Sequence, residues 1–426
     1  MTTPTDLLSE LTWRGLIQER SDGLEARLAR GPISAYVGFD ASATSLHVGN
    51  LLQVFLLTHL QRSGGRPVIV VGGATGMIGD PSGKSSERNL LDDATIARNA
   101  AAIRAQLERF MDFSAGPTEP LVVDNREWLG RYSMVEFLRD VGKHFTVPYM
   151  LAKESVQQRL SAGMSFTEFS YMTLQAADFL HLHREHGVDM QMGGADQWGN
   201  ITAGLELIRR VEPREEGAEP PVFALCSPLL LTRSGQKMGK SEKGAVFLDA
   251  TMTSPYEFYQ YWLNDDDVLA VQHLKWLTFM TPGDVDGIAV AQAERPHERP
   301  AQRALALDLT ARVHGREQAE IQVRAGEAAF SGAPVHDPEI LETLYREVGG
   351  FVLTDEILQG DVLGLAVGSG LFSSRSEARR AFAQGGVAVG GERVTDSETP
   401  VPALIDDRYL VIRAGRKRLA VGRRPD

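Results

Sequence analysis

Two short stretches, far apart in the chain, carry side chains suited to handling phosphate. The first is His47-Val48-Gly49-Asn50, set where an extended run from Ala35 to Phe39 turns into a helical one from Leu51 to Leu60. A small-residue loop there directs backbone N–H groups and the positive end of a helix at whatever lies above, which favours an anion. The second is Lys237-Met238-Gly239-Lys240-Ser241. The chain has eight lysines against 36 arginines, yet three of the eight fall within residues 237–243. Compact, flexible point charges suit a loop that closes on phosphates as negative charge develops. Between these stretches, Tyr171, Gln175 and Asp178 fall at i, i+4 and i+7 of a helical run, so they project from one face among apolar neighbours. Hydrogen-bonding groups on a buried stripe need partners, which a small ligand with an apolar body or an internal polar network can supply.

The elements that must position these groups follow from the pattern. A helical N-terminus leads to the Ala35–Phe39 strand, then to a helix ending near Arg62 and a continuous apolar strand from Arg66 to Val71. A strand apolar throughout suits a parallel sheet covered on both faces. Helix and strand then alternate through Leu121–Val123 to a strand ending at Gly193-Gly194, which implies a doubly wound α/β domain. Tyr36, Asp40, Asp80 and Asp196 all stand at or just past strand ends, where such sheets bind ligands. The glycines after Val71 fit neither the Walker A spacing nor the dinucleotide fingerprint. What that segment offers is Asp80, then Lys84 and Arg88.

Composition narrows the classes. A chain of 426 residues, 43% hydrophobic and 23% charged, holds two or three globular domains. The net charge of −12 means that a nucleic-acid partner needs a local basic patch. A single cysteine, Cys226, excludes a disulfide framework and a thiolate zinc cluster, and fits a reducing cytoplasm. No apolar run approaches a membrane span, and the N-terminus reads as an amphipathic helix rather than a signal peptide.

The motifs YVGFD, HVGN, GGATGMIGDPSGK, FTEFSYMTLQAADF, GGADQWGNITAGLELIRR, KMGKS and SPYEFYQYW, in this order and spacing, resemble the bacterial tyrosyl-tRNA synthetase family of class I aminoacyl-tRNA synthetases. HVGN is similar to that class's HIGH motif and KMGKS to its KMSKS motif. The resemblance implies that tyrosine is activated by ATP to an adenylate and then transferred to tRNA(Tyr). It implies that Tyr36 and Asp178 hold the substrate phenol, that Asp80, Tyr171 and Gln175 hold its ammonium, and that Gln197 contacts its carboxylate. His47, Asn50, Lys84, Arg88, Lys237 and Lys240 are implied in catalysis; Gly38, Asp40, Ser42, His47, Gly49, Gly194, Asp196 and Lys240 in ATP binding. Magnesium is expected with ATP, with no zinc and no other metal site. Asn50, Val37, Ala41 and Gln53 depart from the family's commonest patterns and leave the ribose contacts open.

The resemblance further implies a Rossmann-like catalytic domain over 1–225 with a dimer-interface segment at about 130–160, and a KMGKS connection over 226–250. An all-α anticodon-side domain over 251–330, a linker over 331–355 and a small α+β RNA-binding domain over 356–426 complete it. The last domain resembles one in a ribosomal small-subunit protein, with Ser373, Arg375, Arg379 and Arg380 facing RNA phosphates. A cytoplasmic homodimer is expected, with no membrane or DNA partner. A tryptophan-specific synthetase and a non-catalytic RNA-binding descendant are the rivals. The Tyr36–Asp178 pair speaks against the first, and His47, Lys237 and Lys240 against the second.

Overall fold

The structure, a computed structural model, describes residues 6–40, 43–80, 92–160, 163–213, 215, 218–241, 244–331, 333–415 and 418–425; at 93, 158, 240, 241 and 331 only the backbone is described. Contacts divide the chain into two units, residues 1–252 with 266–296, and residues 253–265 with 297–426.

In the first unit, β1 (Glu19–Arg20), β2 (Ser34–Phe39), β3 (Arg66–Val71), β4 (Leu121–Asp124), β5 (Met190–Gly194) and β6 (Phe223–Ser227) form a sheet in the order β1-β6-β5-β2-β3-β4. The five later strands are parallel, and β1 pairs antiparallel with β6 at one edge. β3 is buried from its second residue onward, as its unbroken apolar sequence requires. The chain builds outward from β2 through β3 to β4, then returns to β5 on the other side of β2. Strand order therefore reverses between β2 and β5, and the crevice beyond their carboxyl ends is where such sheets bind ligands.

The Leu51–Arg62 helix follows β2 and buries nine residues, Leu51 and Leu52 and then Val54 through Leu60. The Phe166–His186 helix starts at a capping box, with Ser165 and Glu168 satisfying each other's backbone N–H, and stops at Gly187 in the left-handed conformation. Residues 266–296 were expected within a separate helical domain, but they pack on this unit. Arg14, 2% exposed, donates to the carbonyls of Lys275 at 2.6 Å, Thr278 at 2.8 Å and Met280 at 3.0 Å, which ties the Ala270–Leu277 helix to the N-terminal one.

The second unit joins the Pro255–Leu263, Pro300–His314 and Arg316–Ser331 helices to a small α+β module. In it β9 (Gly350–Val352), β10 (Val387–Val389), β11 (Glu392–Val394), β12 (Tyr409–Ala414) and β13 (Arg418–Arg423) form a sheet in the order β11-β10-β12-β13-β9. Gly390 and Gly391, with φ of 61° and 91°, make the two-residue turn between β10 and β11. The 331–355 segment, expected as a linker, carries the Pro338–Glu347 helix and β9 instead. Its Ile340, Leu341 and Leu344 share one core with Ala325, Ala329, Tyr409 and Val421. Buried Arg413 donates to the carbonyls of Ala328 and Ala329, closing the end of the Arg316–Ser331 helix.

Candidate active site

Beyond the β2 and β5 ends lies a cavity of about 710 Å³, and most of the candidate residues line it. Among the candidate residues the most buried polar pair is Tyr36, on β2, and Asp178, on the Phe166–His186 helix, at 2% and 3% exposure. Among the described residues the Tyr36 hydroxyl has no hydrogen-bond partner. Burial raises its pKa well above the usual phenol value, and the neighbouring Asp178 charge adds to the effect. Asp178 accepts from Asn125 Nδ2 at 3.0 Å and from Trp128 Nε1 at 2.7 Å. Burial pushes its carboxyl up to about 7, and these two donors oppose the shift. Asn125 also donates to Thr75 Oγ1 and accepts the Ala74 N–H, each at 2.8 Å, so one amide ties Asp178 to the turn after β3.

A second polar group lines the same cavity. Asp80 accepts from Gln197 Nε2 at 2.6 Å and from Asn200 Nδ2 at 3.4 Å, while Gln175 donates to Gln197 Oε1 at 3.4 Å. Tyr171, 6% exposed, lines the cavity beside them. The helical spacing of Tyr171, Gln175 and Asp178 therefore brings all three to one wall.

The third group joins the two phosphate-type motifs. The His47 N–H donates to Asn50 Oδ1 at 3.1 Å and the Gly49 N–H donates to His47 Nδ1 at 3.0 Å. Asn50 is thus a cap that fixes the turn. With Nδ1 accepting, the proton of the neutral imidazole sits on Nε2. A Cβ at Gly49 would stand 2.8 Å from His47 Cε1 and 3.0 Å from the Met238 carbonyl oxygen, so a side chain there would force the two motifs apart. Backbone bonds hold them together: Val48 N–H to Val246 O at 2.9 Å, Val246 N–H to Gly239 O at 2.9 Å, and Met238 N–H to Leu230 O at 2.8 Å. β7 (Lys240–Ser241) and β8 (Gly244–Ala245) form the hairpin that carries the second motif. Lys237 Nζ pairs with Asp196 Oδ2 at 2.6 Å, and Gly38, Asp40 and Gly194 also line the cavity.

Ser42, Lys84 and Arg88 lie outside the described residues, and only the backbone of Lys240 is described. Arg375, Arg379 and Arg380 are exposed on the Arg375–Ala383 helix of the second unit, while the Ser373 hydroxyl donates to Glu377 at 2.7 Å. Sequence reading missed Asn125, Trp128 and Asn200. Asn125 directly follows β4, so the strand-end rule that found Asp80 could have found it. Trp128 and Asn200 carry no such mark. Among the described residues no cluster of three or more His, Cys, Asp or Glu is placed to hold a metal ion, and no helix is long and apolar enough to cross a membrane.

Residues 28–331 match the family model described as tRNA synthetases class I (W and Y), and residues 342–421 match the tyrosine–tRNA ligase SYY-like C-terminal domain. The chain is 48% identical over 421 residues to a tyrosine–tRNA ligase of Anaeromyxobacter dehalogenans, covering 98% of this chain and 99% of the relative. It is 45% identical over 421 residues to one of Bacillus caldotenax, covering 97% and 98%. A C-terminally truncated mitochondrial tyrosyl-tRNA synthetase of Coccidioides posadasii superposes with a TM-score of 0.65 at 30% identity, covering 75% of this chain and 91% of that one. Its Aspergillus nidulans counterpart gives a TM-score of 0.67 at 27% identity, covering 76% and 94%.

Proposed function

Because the chain belongs to the tyrosine–tRNA ligase family of class I tRNA synthetases, we propose that its cavity divides into a phenol end, an ammonium wall and a nucleotide mouth. The reaction joins tyrosine to tRNA in two steps. The tyrosine carboxylate attacks the α-phosphate of ATP and expels pyrophosphate, and the terminal hydroxyl of the tRNA then attacks the acyl carbon of the adenylate, breaking its bond to the phosphate and releasing AMP and a proton. The carboxylate is already ionised, so the first step rests on positioning and electrostatic stabilisation rather than on a general base. Tyr36 and Asp178 receive the phenol, while Asp80, Tyr171 and Gln175 receive the ammonium. Gln197 stands between the two substrates. His47 Nε2–H, the Gly49 backbone and Lys237 meet the phosphates, with Lys84, Arg88 and Lys240 added from the sequence, and Asp196 meets the ribose.

Magnesium carried in on the nucleotide would neutralise phosphate charge. A second copy of the chain covers the apolar row of Tyr132, Met134, Val135 and Leu138, which is 40–75% exposed. Arg375, Arg379 and Arg380 offer tRNA phosphates a local attraction in an acidic protein of the cytoplasm.

One observation carries the amino-acid assignment: a buried phenol hydroxyl with no hydrogen-bond partner among the described residues, beside a buried carboxylate, both lining the cavity. Such a pair is costly until a ligand hydroxyl completes it. ATP–pyrophosphate exchange with each amino acid in turn tests this. Exchange with tyrosine alone is expected; exchange with tryptophan, or with none, overturns it.

A further inference from the structure

The Asp93–Leu107 helix buries Ile96, Asn99, Ile103 and Leu107 along one stripe, and half-buried Gln106 stands at the edge of that stripe in the last turn. Gln106 is not among the residues lining the cavity, but Ser45 and Leu46 are, and both ends of its amide reach them. Oε1 accepts the Leu46 N–H at 2.9 Å, and Nε2 donates to Ser45 Oγ at 3.0 Å. The buried Ser45 hydroxyl also accepts the Asp249 N–H at 3.1 Å and donates to the Leu46 carbonyl at 2.7 Å, which uses its one proton and both lone pairs. The same carbonyl accepts the Leu248 N–H at 2.9 Å.

Leu46 directly precedes His47, so its N–H and C=O set the entry to the His47 turn. They are held from two sides. On one side is the helix, through Gln106. On the other are residues 246–249, which continue from the β7–β8 hairpin of the lysine motif and pair Phe247 with His47. Ser45 Oγ is the atom where the three segments meet. An apolar side chain at 106 would leave the Leu46 N–H and Ser45 Oγ each a partner short, so an amide is needed there although it touches no substrate. We propose that Gln106 is a positioning residue for adenylate formation, fixing the His47 turn against the hairpin so that the imidazole and the lysine motif meet the same phosphates. This rests on the reading that the His47 turn faces the phosphates of ATP.

Gln106→Met keeps the length and helix-forming character of the side chain and removes both bonds. Single-turnover adenylate formation at saturating ATP and the Kd for tyrosine are measured on wild type, Gln106→Met, His47→Asn and the double variant. The rate in Gln106→Met is expected to fall about five- to thirtyfold, the value of two hydrogen bonds, with tyrosine Kd within about twofold of wild type. In the His47→Asn background the same substitution is expected to cost less than about twofold, because the side chain it positions is already missing. Ser45→Ala breaks the joint from its other side and is expected to show the same dependence on His47; it decides the matter by the same criteria should Gln106→Met fail to fold. A rate in Gln106→Met within about twofold of wild type overturns the proposal. So does an equal loss in both backgrounds, which makes the amide a structural tie alone. If His47→Asn itself keeps the wild-type rate, the phosphate reading of that turn fails and the proposal falls with it.

Discussion

Replacing Trp128 with phenylalanine tests how the buried carboxyl is kept usable. Asp178 lies in a site that pushes its carboxyl up to about 7, and the Trp128 indole N–H, 2.7 Å away, is one of two donors that oppose the shift. If the ionised form receives the phenol, the apparent Kd for tyrosine exceeds its limiting value about twofold at pH 7 and about tenfold at pH 6. Affinity therefore rises with pH and levels off above about 8. A hydrogen bond to a charged group is worth about 1.5–3 kcal/mol, so losing it raises the carboxyl pKa by about one to two units. Trp128→Phe should then bind tyrosine about five- to fiftyfold more weakly at pH 7, and only about one- to fourfold more weakly at pH 8.5. The assay is equilibrium dialysis of labelled tyrosine across this range on both proteins. A flat wild-type profile, or a loss of equal size at every pH, refutes the reasoning; the second outcome would make Trp128 a packing residue alone.

Three further outcomes follow from the same geometry. Lys237→Ala should slow adenylate formation about a hundredfold while tyrosine Kd stays within about twofold, since a phosphate clamp acts in the transition state; pre-steady-state and binding measurements separate the two. Val135→Asp with Leu138→Asp should convert a dimer to a monomer in light scattering, because it places charge on the exposed apolar row. Removal of residues 332–426 should leave exchange near the full-length rate, since every residue lining the cavity lies before it. It should cost thermal stability through uncovered Ala325 and Ala329, and lose the salt-sensitive part of tRNA affinity.

Much of this site is legible in the sequence because its signals are local. The unbroken apolar run of β3 can be read from adjacent residues, and so can the spacing of Tyr171, Gln175 and Asp178 and the small-residue turn at His47. Asn50 shows where local reading falls short: its type is visible, but its use as a cap on His47 depends on a backbone geometry that the letters do not carry. Trp128 reaches Asp178 across 50 residues of sequence, and a tryptophan after a strand reads equally well as core. The helices of 266–296 join the first unit through Arg14, whose carbonyl partners are 261 to 266 residues away. The 331–355 segment reads as a linker from its glycines and prolines, yet Ile340, Leu341 and Leu344 recur at helical spacing and are buried. Composition outweighed periodicity there, and periodicity was the better guide.

The central claim is that two buried groups select the substrate by its phenol, an effect for which tyrosine-activating enzymes are the established example. The most direct test compares kcat/KM for tyrosine and phenylalanine in pyrophosphate exchange, on wild type and on Asp178→Ala, with folding checked by circular dichroism. The account predicts strong discrimination in the wild type that collapses in the variant, chiefly through the loss of activity with tyrosine. Undiminished discrimination in a folded Asp178→Ala protein would contradict it.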